Sequence, residues 1–145
     1  MNARRAGDGS KGSVLLESAL ATLVLCGIAS GAFYLGWSMI LYQRLASSVA
    51  AAARYGAGLD LDASNTNFSK IRNMAVSGDP GDASHPLVPG LSAANIRITR
   101  TDDAGGQPLA LTVSITGFAS DLGVATFRAE GRPAVTVRWA GVYKW

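Results

Sequence analysis

The sequence predicts an α+β fold, with a long N-terminal helix continuing into a small antiparallel β-sheet domain. Three observations predict it. Residues 14–42, VLLESALATLVLCGIASGAFYLGWSMILY, are apolar with one charge, Glu17. Residues 43–55, QRLASSVAAAARY, are rich in Ala and contain no Pro or Gly, so nothing stops the helix there. Beyond Asn95 the apolar residues recur at every second position, the period of a half-buried strand.

Composition bounds the function before any motif is read. The chain has 145 residues and 15.0 kDa, with 48% hydrophobic and 16% charged residues and a mean hydropathy of +0.20. That balance excludes intrinsic disorder and places part of the chain in a membrane. The net charge is +3, and the 13 Lys and Arg are scattered, with no run longer than Arg4-Arg5. A nucleic-acid binder needs a clustered basic face, so no nucleic-acid partner is expected. One cysteine, Cys26, excludes an internal disulfide and a cysteine-rich zinc site. One histidine, His85, leaves little material for a catalytic triad. No enzymatic activity, cofactor, metal or small-molecule substrate is expected.

The elements follow in chain order. Residues 1–12, MNARRAGDGSKG, are a polar leader in which Arg4, Arg5 and Lys11 outweigh Asp8. Positive flanks stay cytoplasmic, which predicts the N-terminus inside and the C-terminal domain outside an inner membrane. The apolar run 14–42 exceeds the roughly 20 residues a spanning helix needs. It also exceeds the apolar core of a secretory signal, about 7–15 residues. Leu45, Val49 and Ala52 extend one helical face, and Gly56 and Gly58 supply a stop. The helix is therefore expected over 14–56, roughly 65 Å at 1.5 Å per residue. Gly27 and Gly31 form a G-x-x-x-G pair, with Ser30 and Gly36 nearby, through which helices pack closely in lipid. Tyr34, Trp37 and Tyr42 suit an aromatic belt at the outer interface, and Cys26 suits a small apolar filler.

Residues 57–145 change character toward Asp, Asn, Pro, Gly and Thr and form the exported domain. Ala57–Ala63 reads as a linker. Ser64–Val76 reads as a short helix capped by Ser64 or Asn65, with Phe68, Ile71, Met74 and Ala75 on one face. Ser77–Gly90, with three prolines and three glycines, is a loop. Asn95–Thr101 and Pro108–Thr116 alternate around the turn DDAGGQ and predict a hairpin. Leu122–Ala129 and Ala134–Tyr143 read as two further strands, the last with Val135, Val137, Trp139 and Gly141 on one face. A single small sheet packed on the last third of the helix is expected. Asp60, Asp62, Asp79 and Asp82 could offer oxygen ligands to Ca²⁺, but no EF-hand spacing joins them, and acidic loops are commonly just solvated. His85 reads as a surface residue.

The stretch Lys11-Gly12-Ser13-Val14-Leu15-Leu16-Glu17 carries the functional signal. An ionisable group in a membrane helix costs about 2.5–3.5 kcal/mol on insertion scales, so Glu17 is a functional residue by default. The helix dipole near an N-terminus offsets a fraction of that cost.

This constellation resembles the prepilin signal of the type IV pilin superfamily. More narrowly, it is similar to the TadE-like minor pseudopilins of tight-adherence (Tad) pilus systems. The resemblance rests on Gly12-Ser13-Val14-Leu15-Leu16-Glu17-Ser18-Ala19-Leu20, on the Ala- and Arg-rich helix end from Ala50 to Ala57, and loosely on AANIRITRT and LALTVSIT in residues 91–116. Ser18 stands where an aromatic residue commonly follows the glutamate, and Thr22-Leu23-Val24 lacks the proline often found early in such helices. The resemblance implies a pilin-like fold of leader 1–12, helix 13–56 and exported domain 57–145. It implies cleavage by a prepilin peptidase after Gly12, making Ser13 the new N-terminus. It implies that Glu17 pairs with the new α-amino group of a neighbouring pilin or pseudopilin subunit, where a matched buried pair sets register more than it stabilises. The function so implied is structural, in the assembly, initiation or tip of a Tad-type pilus. A pseudopilin of a type II secretion machine and an uncleaved, signal-anchored periplasmic binding module are the alternatives.

Overall fold

A computed structural model describes residues 9–61, 67–123 and 125–141. Its first element, α1 (Gly9–Ala57), is a continuous helix of 49 residues. It starts earlier than the expected Val14. The segment from Gly9 to Ser13 contains no proline, and extending an existing helix gains a hydrogen bond per residue without a new nucleation cost. The two glycines there, at about 1 kcal/mol each, do not stop it. The Gly12–Ser13 bond therefore lies inside α1 rather than ahead of it. At the other end Gly56 does not terminate the helix, which includes Ala57.

The chain divides into two units between Trp37 and Ser38. In the first, every described side chain from Gly12 to Trp37 is exposed except Tyr34, which is half-buried. In the second unit, α1 buries one stripe: Leu41, Leu45, Ser48, Val49, Ala52, Ala53 and Gly56. This is the expected Leu45–Val49–Ala52 face, extended by a turn at each end. Ser48, the one polar member, donates its hydroxyl to the Leu45 carbonyl at 2.9 Å and so carries no unmet hydrogen bond into the core.

Helix α2 (Phe68–Ser77) covers the second half of the expected Ser64–Val76 helix. Both expected caps lie outside the described residues, and the N-cap position is held by Asn67. The Asn67 side chain makes no cap. Its Nδ2 instead donates to the Asp60 carbonyl at 2.8 Å, tying the helix start to the chain leaving α1. Ile71, Ala75 and Val76 are buried, and Phe68 and Met74 pack partly against them. Gly78 closes the helix at φ 80°, a left-handed conformation that favours glycine, with its N–H donating to Met74 O at 3.1 Å. The loop that follows is pinned rather than merely solvated. Leu87 N–H donates to Val76 O at 2.7 Å, and Val88 and Leu91 are buried in the core.

A short 3-10 turn (Ala93–Asn95) leads into β1 (Ile96–Asp102), β2 (Pro108–Ile115), β3 (Phe118–Asp121), β4 (Thr126–Ala129) and β5 (Ala134–Arg138). The strands β1 and β2 form the expected hairpin, Ile96 opposite Ile115 and Ile98 opposite Val113. They make two sheets, however, not one: β1-β2-β5 and β3-β4, all antiparallel. The expected strand Leu122–Ala129 is a turn followed by β4, which pairs with the unforeseen β3. That hairpin is braced by Phe118 and Phe127, edge to face with centroids 6.5 Å apart. β5 ends at Arg138 instead of Tyr143, which lies outside the described residues. The chain leaves the sheet there because Ala140 N–H donates to Ala57 O at 3.1 Å and Trp139 Nε1 donates to Leu59 O at 3.0 Å. The inward residues Leu111, Val113 and Ile115 of β2 are completely buried against the α1 stripe and α2 residues.

Candidate processing and assembly site

Of the residues singled out for processing and assembly, Gly12, Ser13, Glu17, Gly27 and Gly31 lie on the first part of α1. Gly12 and Ser13 are exposed, and a Cβ on Gly12 would meet nothing within 4 Å. Glu17 is one turn beyond Ser13 on the same face, also exposed. Its surroundings are Val14, Leu15, Leu16 and Leu20, each more than half exposed. Among the described side chains Glu17 makes no ion pair. Lys11 belongs to α1, but its side chain is not among those described, and Arg4 and Arg5 lie outside the described residues.

The polar groups near Glu17 are satisfied within the helix. Ser18 Oγ donates to Val14 O at 2.9 Å and Thr22 Oγ1 to Ser18 O at 2.8 Å. This back-bonding lets a hydroxyl enter an apolar medium without an unmet donor. Gly27, Gly31 and Gly36 have open space where a Cβ would be, so none of the described residues fills the G-x-x-x-G face. Phe33 and Trp37 stack at 6.3 Å, and Cys26 is exposed. The helix from Gly12 is long and apolar enough to cross a membrane, with a hydropathy of 1.8 and none of its apolar window buried. Chemically, the arrangement offers one carboxylate on a largely apolar helix, and among the described side chains none supplies its counter-charge.

The acidic loop does different work. Asp79 Oδ1 accepts the Gly81 N–H at 2.8 Å. Asp82 accepts the Ser84 hydroxyl at 2.6 Å and the Ser84 N–H at 2.8 Å, which together hold its carboxyl below the ordinary aspartate range. Ser77 Oγ lies within hydrogen-bonding distance of the carbonyls of Asn73, Asp79 and Asp82, and its one O–H can serve any of them, holding the loop to the end of α2. These carboxylates are spent on their own backbone, and among the described residues no three His, Cys, Asp or Glu side chains converge. Asp62 lies outside the described residues. His85 is exposed, 2.9 Å from Ser84 Oγ.

Two polar residues that hold the C-terminal domain together were not singled out from sequence. Asn95 Oδ1 accepts from the Ser92 N–H and hydroxyl, while its Nδ2 donates to the Thr116 and Gly117 carbonyls, clamping the start of β1 to the end of β2. Arg100 pairs with Asp102 at 2.6 Å and donates to Leu61 O at 2.7 Å. A charge at an inward position of an alternating strand was the available signal for Arg100.

Compared with known proteins, the chain matches no family model, no curated protein and no solved structure.

Proposed function

We propose that this chain is a membrane-inserted structural subunit of the prepilin kind, cut after Gly12 and assembled through its N-terminal helix into a Tad-type pilus as a minor pseudopilin. The observation that carries the reading is Glu17, the single carboxylate of an exposed apolar helix, standing five residues after a glycine that follows a lysine. A charge so placed has no use to an isolated membrane anchor and costs about 2.5–3.5 kcal/mol to insert. A neighbouring subunit's new α-amino group at Ser13 would supply its counter-charge. Membrane lipid, a prepilin peptidase and other pilin-like subunits are the partners, with the N-terminus cytoplasmic and residues 57–145 outside. The open face at Gly27 and Gly31 offers close packing to a neighbouring helix.

Glu17→Ala is the test. Cleavage should continue, because the peptidase acts at Gly12, while incorporation into the fibre falls sharply. Fibres of unchanged number and subunit content in Glu17→Ala cells would defeat the pairing role.

The second reading, an uncleaved single-span anchor for a periplasmic module, is favoured by one observation. The Gly12–Ser13 bond is helical, and a helix must open locally before a peptidase can reach its backbone. Partner capture from the native membrane distinguishes a pilus from a type II secretion machine.

A further inference from the structure

We propose that β5 is a self-association edge. Two copies of the chain pair antiparallel through Ala134–Arg138, with Thr136 on the twofold axis. The pairing requires neither cleavage nor Glu17, so it stands or falls apart from the reading above.

Hydrogen-bond parity decides which edge groups of β5 are free to pair. Trp139 N–H donates to Leu109 O, and Ile115 N–H donates to Pro133 O. With Leu111 opposite Val137 and Val113 opposite Val135, residues 133, 135, 137 and 139 direct their backbone groups at β2. Ala134, Thr136 and Arg138 therefore direct theirs outward, from the edge of the β1-β2-β5 sheet. Among the described residues no backbone group bonds to them there, and all three are exposed.

An antiparallel partner strand centred on Thr136 uses every one of these groups. Thr136 meets Thr136 of the second copy, and Ala134 meets Arg138 at each end, each pair exchanging both N–H···O bonds. The intervening pairs set Val135 against Val137. Those valines lie on the inner face and are half-buried now, whereas their β2 neighbours Leu111 and Val113 are completely buried. A strand added at β5 completes their cover. On the outer face, Thr99, Thr112 and Thr136 already stand opposite one another across the three strands, and Thr112 and Thr136 share a hydroxyl hydrogen bond at 2.8 Å. The twofold continues this row with Thr136 and Thr112 of the second copy.

The register is selected by charge. A shift that centres the axis on Arg138 sets two guanidiniums opposite each other, and one that centres it on Ala134 runs Thr136 against the Arg132–Pro133 corner. The other edge of the sheet is guarded. β1 carries Arg97 and Arg100, and its register breaks between Thr101 and Asp102. β5 has no charge before Arg138 and no proline or bulge within it.

The test uses the full chain in detergent micelles. Sedimentation should show a dimer that dissociates on dilution, and Thr136→Lys, which sets two like charges on the axis, should raise its dissociation constant by on the order of tenfold. In a Cys26→Ala background, Thr136→Cys should give a disulfide-linked dimer on mild oxidation, since paired Cα atoms about 5.5 Å apart lie within disulfide range. Thr112→Cys, one strand inward, should not. A wild-type chain monomeric at all concentrations overturns the proposal. So does a dimer that survives Thr136→Lys, because the apolar helix then holds it. Linking of Thr112→Cys as readily as Thr136→Cys also overturns it.

Discussion

Helix α1 carries large apolar side chains along its whole length, yet its two parts meet different surroundings. Up to Ile40 they point in every direction and stay exposed, from Ile40 at 47% to Leu23 at 72%. From Leu41 onward the buried ones fall on one stripe, and Leu45 and Val49 are wholly buried. Composition shifts toward Ala and Arg between the two parts, and the period changes with it. A helix apolar all round asks for an apolar medium, whereas one with a single apolar face asks for a core. The side chains that matter also differ in size. Ala52, Ala53 and Gly56 let the C-terminal domain close on the helix, while Gly27 and Gly31 leave open a face that none of the described residues fills.

The largest effects should come from exchanging the same residue between the two parts. Leu45→Ala removes a wholly buried side chain and should destabilise the C-terminal domain by about 2–5 kcal/mol. Leu23→Ala, at an exposed position, should change it by no more than about 0.5 kcal/mol. Denaturant unfolding of the two variants in the same detergent checks the contrast, and equal losses would break it.

A smaller and sharper contrast lies in the glycines. A Cβ on Gly56 would collide with Leu111 Cδ2 and lie 2.9 Å from Ile71 Cδ1, both from fully buried side chains that have nowhere to retreat. Gly56→Ala should therefore cost about 1–3 kcal/mol from overpacking, reduced by a helix-propensity gain of about 1 kcal/mol. Gly27→Ala meets none of the described residues and should leave the unfolding midpoint of the C-terminal domain unchanged. A destabilised Gly27→Ala variant would show that the first part of the helix contributes to the fold after all.

The long helix and the β1-β2 hairpin were legible because each repeats a single period over many residues. Alternation at Ile96, Ile98, Leu109, Leu111, Val113 and Ile115 also fixed the inward face. Boundaries set by single hydrogen bonds were not legible. Nothing local at Asn67 says that its amide will reach Asp60, and nothing at Arg138 says that the next two residues will turn to bond Leu59 and Ala57. The β3-β4 pair was missed because four-residue strands flanked by glycine show too few alternations to read. For the candidate site the situation is reversed. Gly12, Ser13 and Glu17 were found from spacing, and the fold adds that they share one exposed helix. The roles proposed for those residues are contacts with other molecules, which intramolecular packing does not encode.

The central claim is that the native chain is trimmed ahead of a lone acid in an apolar rod. The intact mass of the protein recovered from its own membrane tests this most directly. The account expects a chain beginning at Ser13, and expects the full-length mass to return when Gly12 is replaced by leucine. A native chain that retains Lys11 and Gly12 contradicts it.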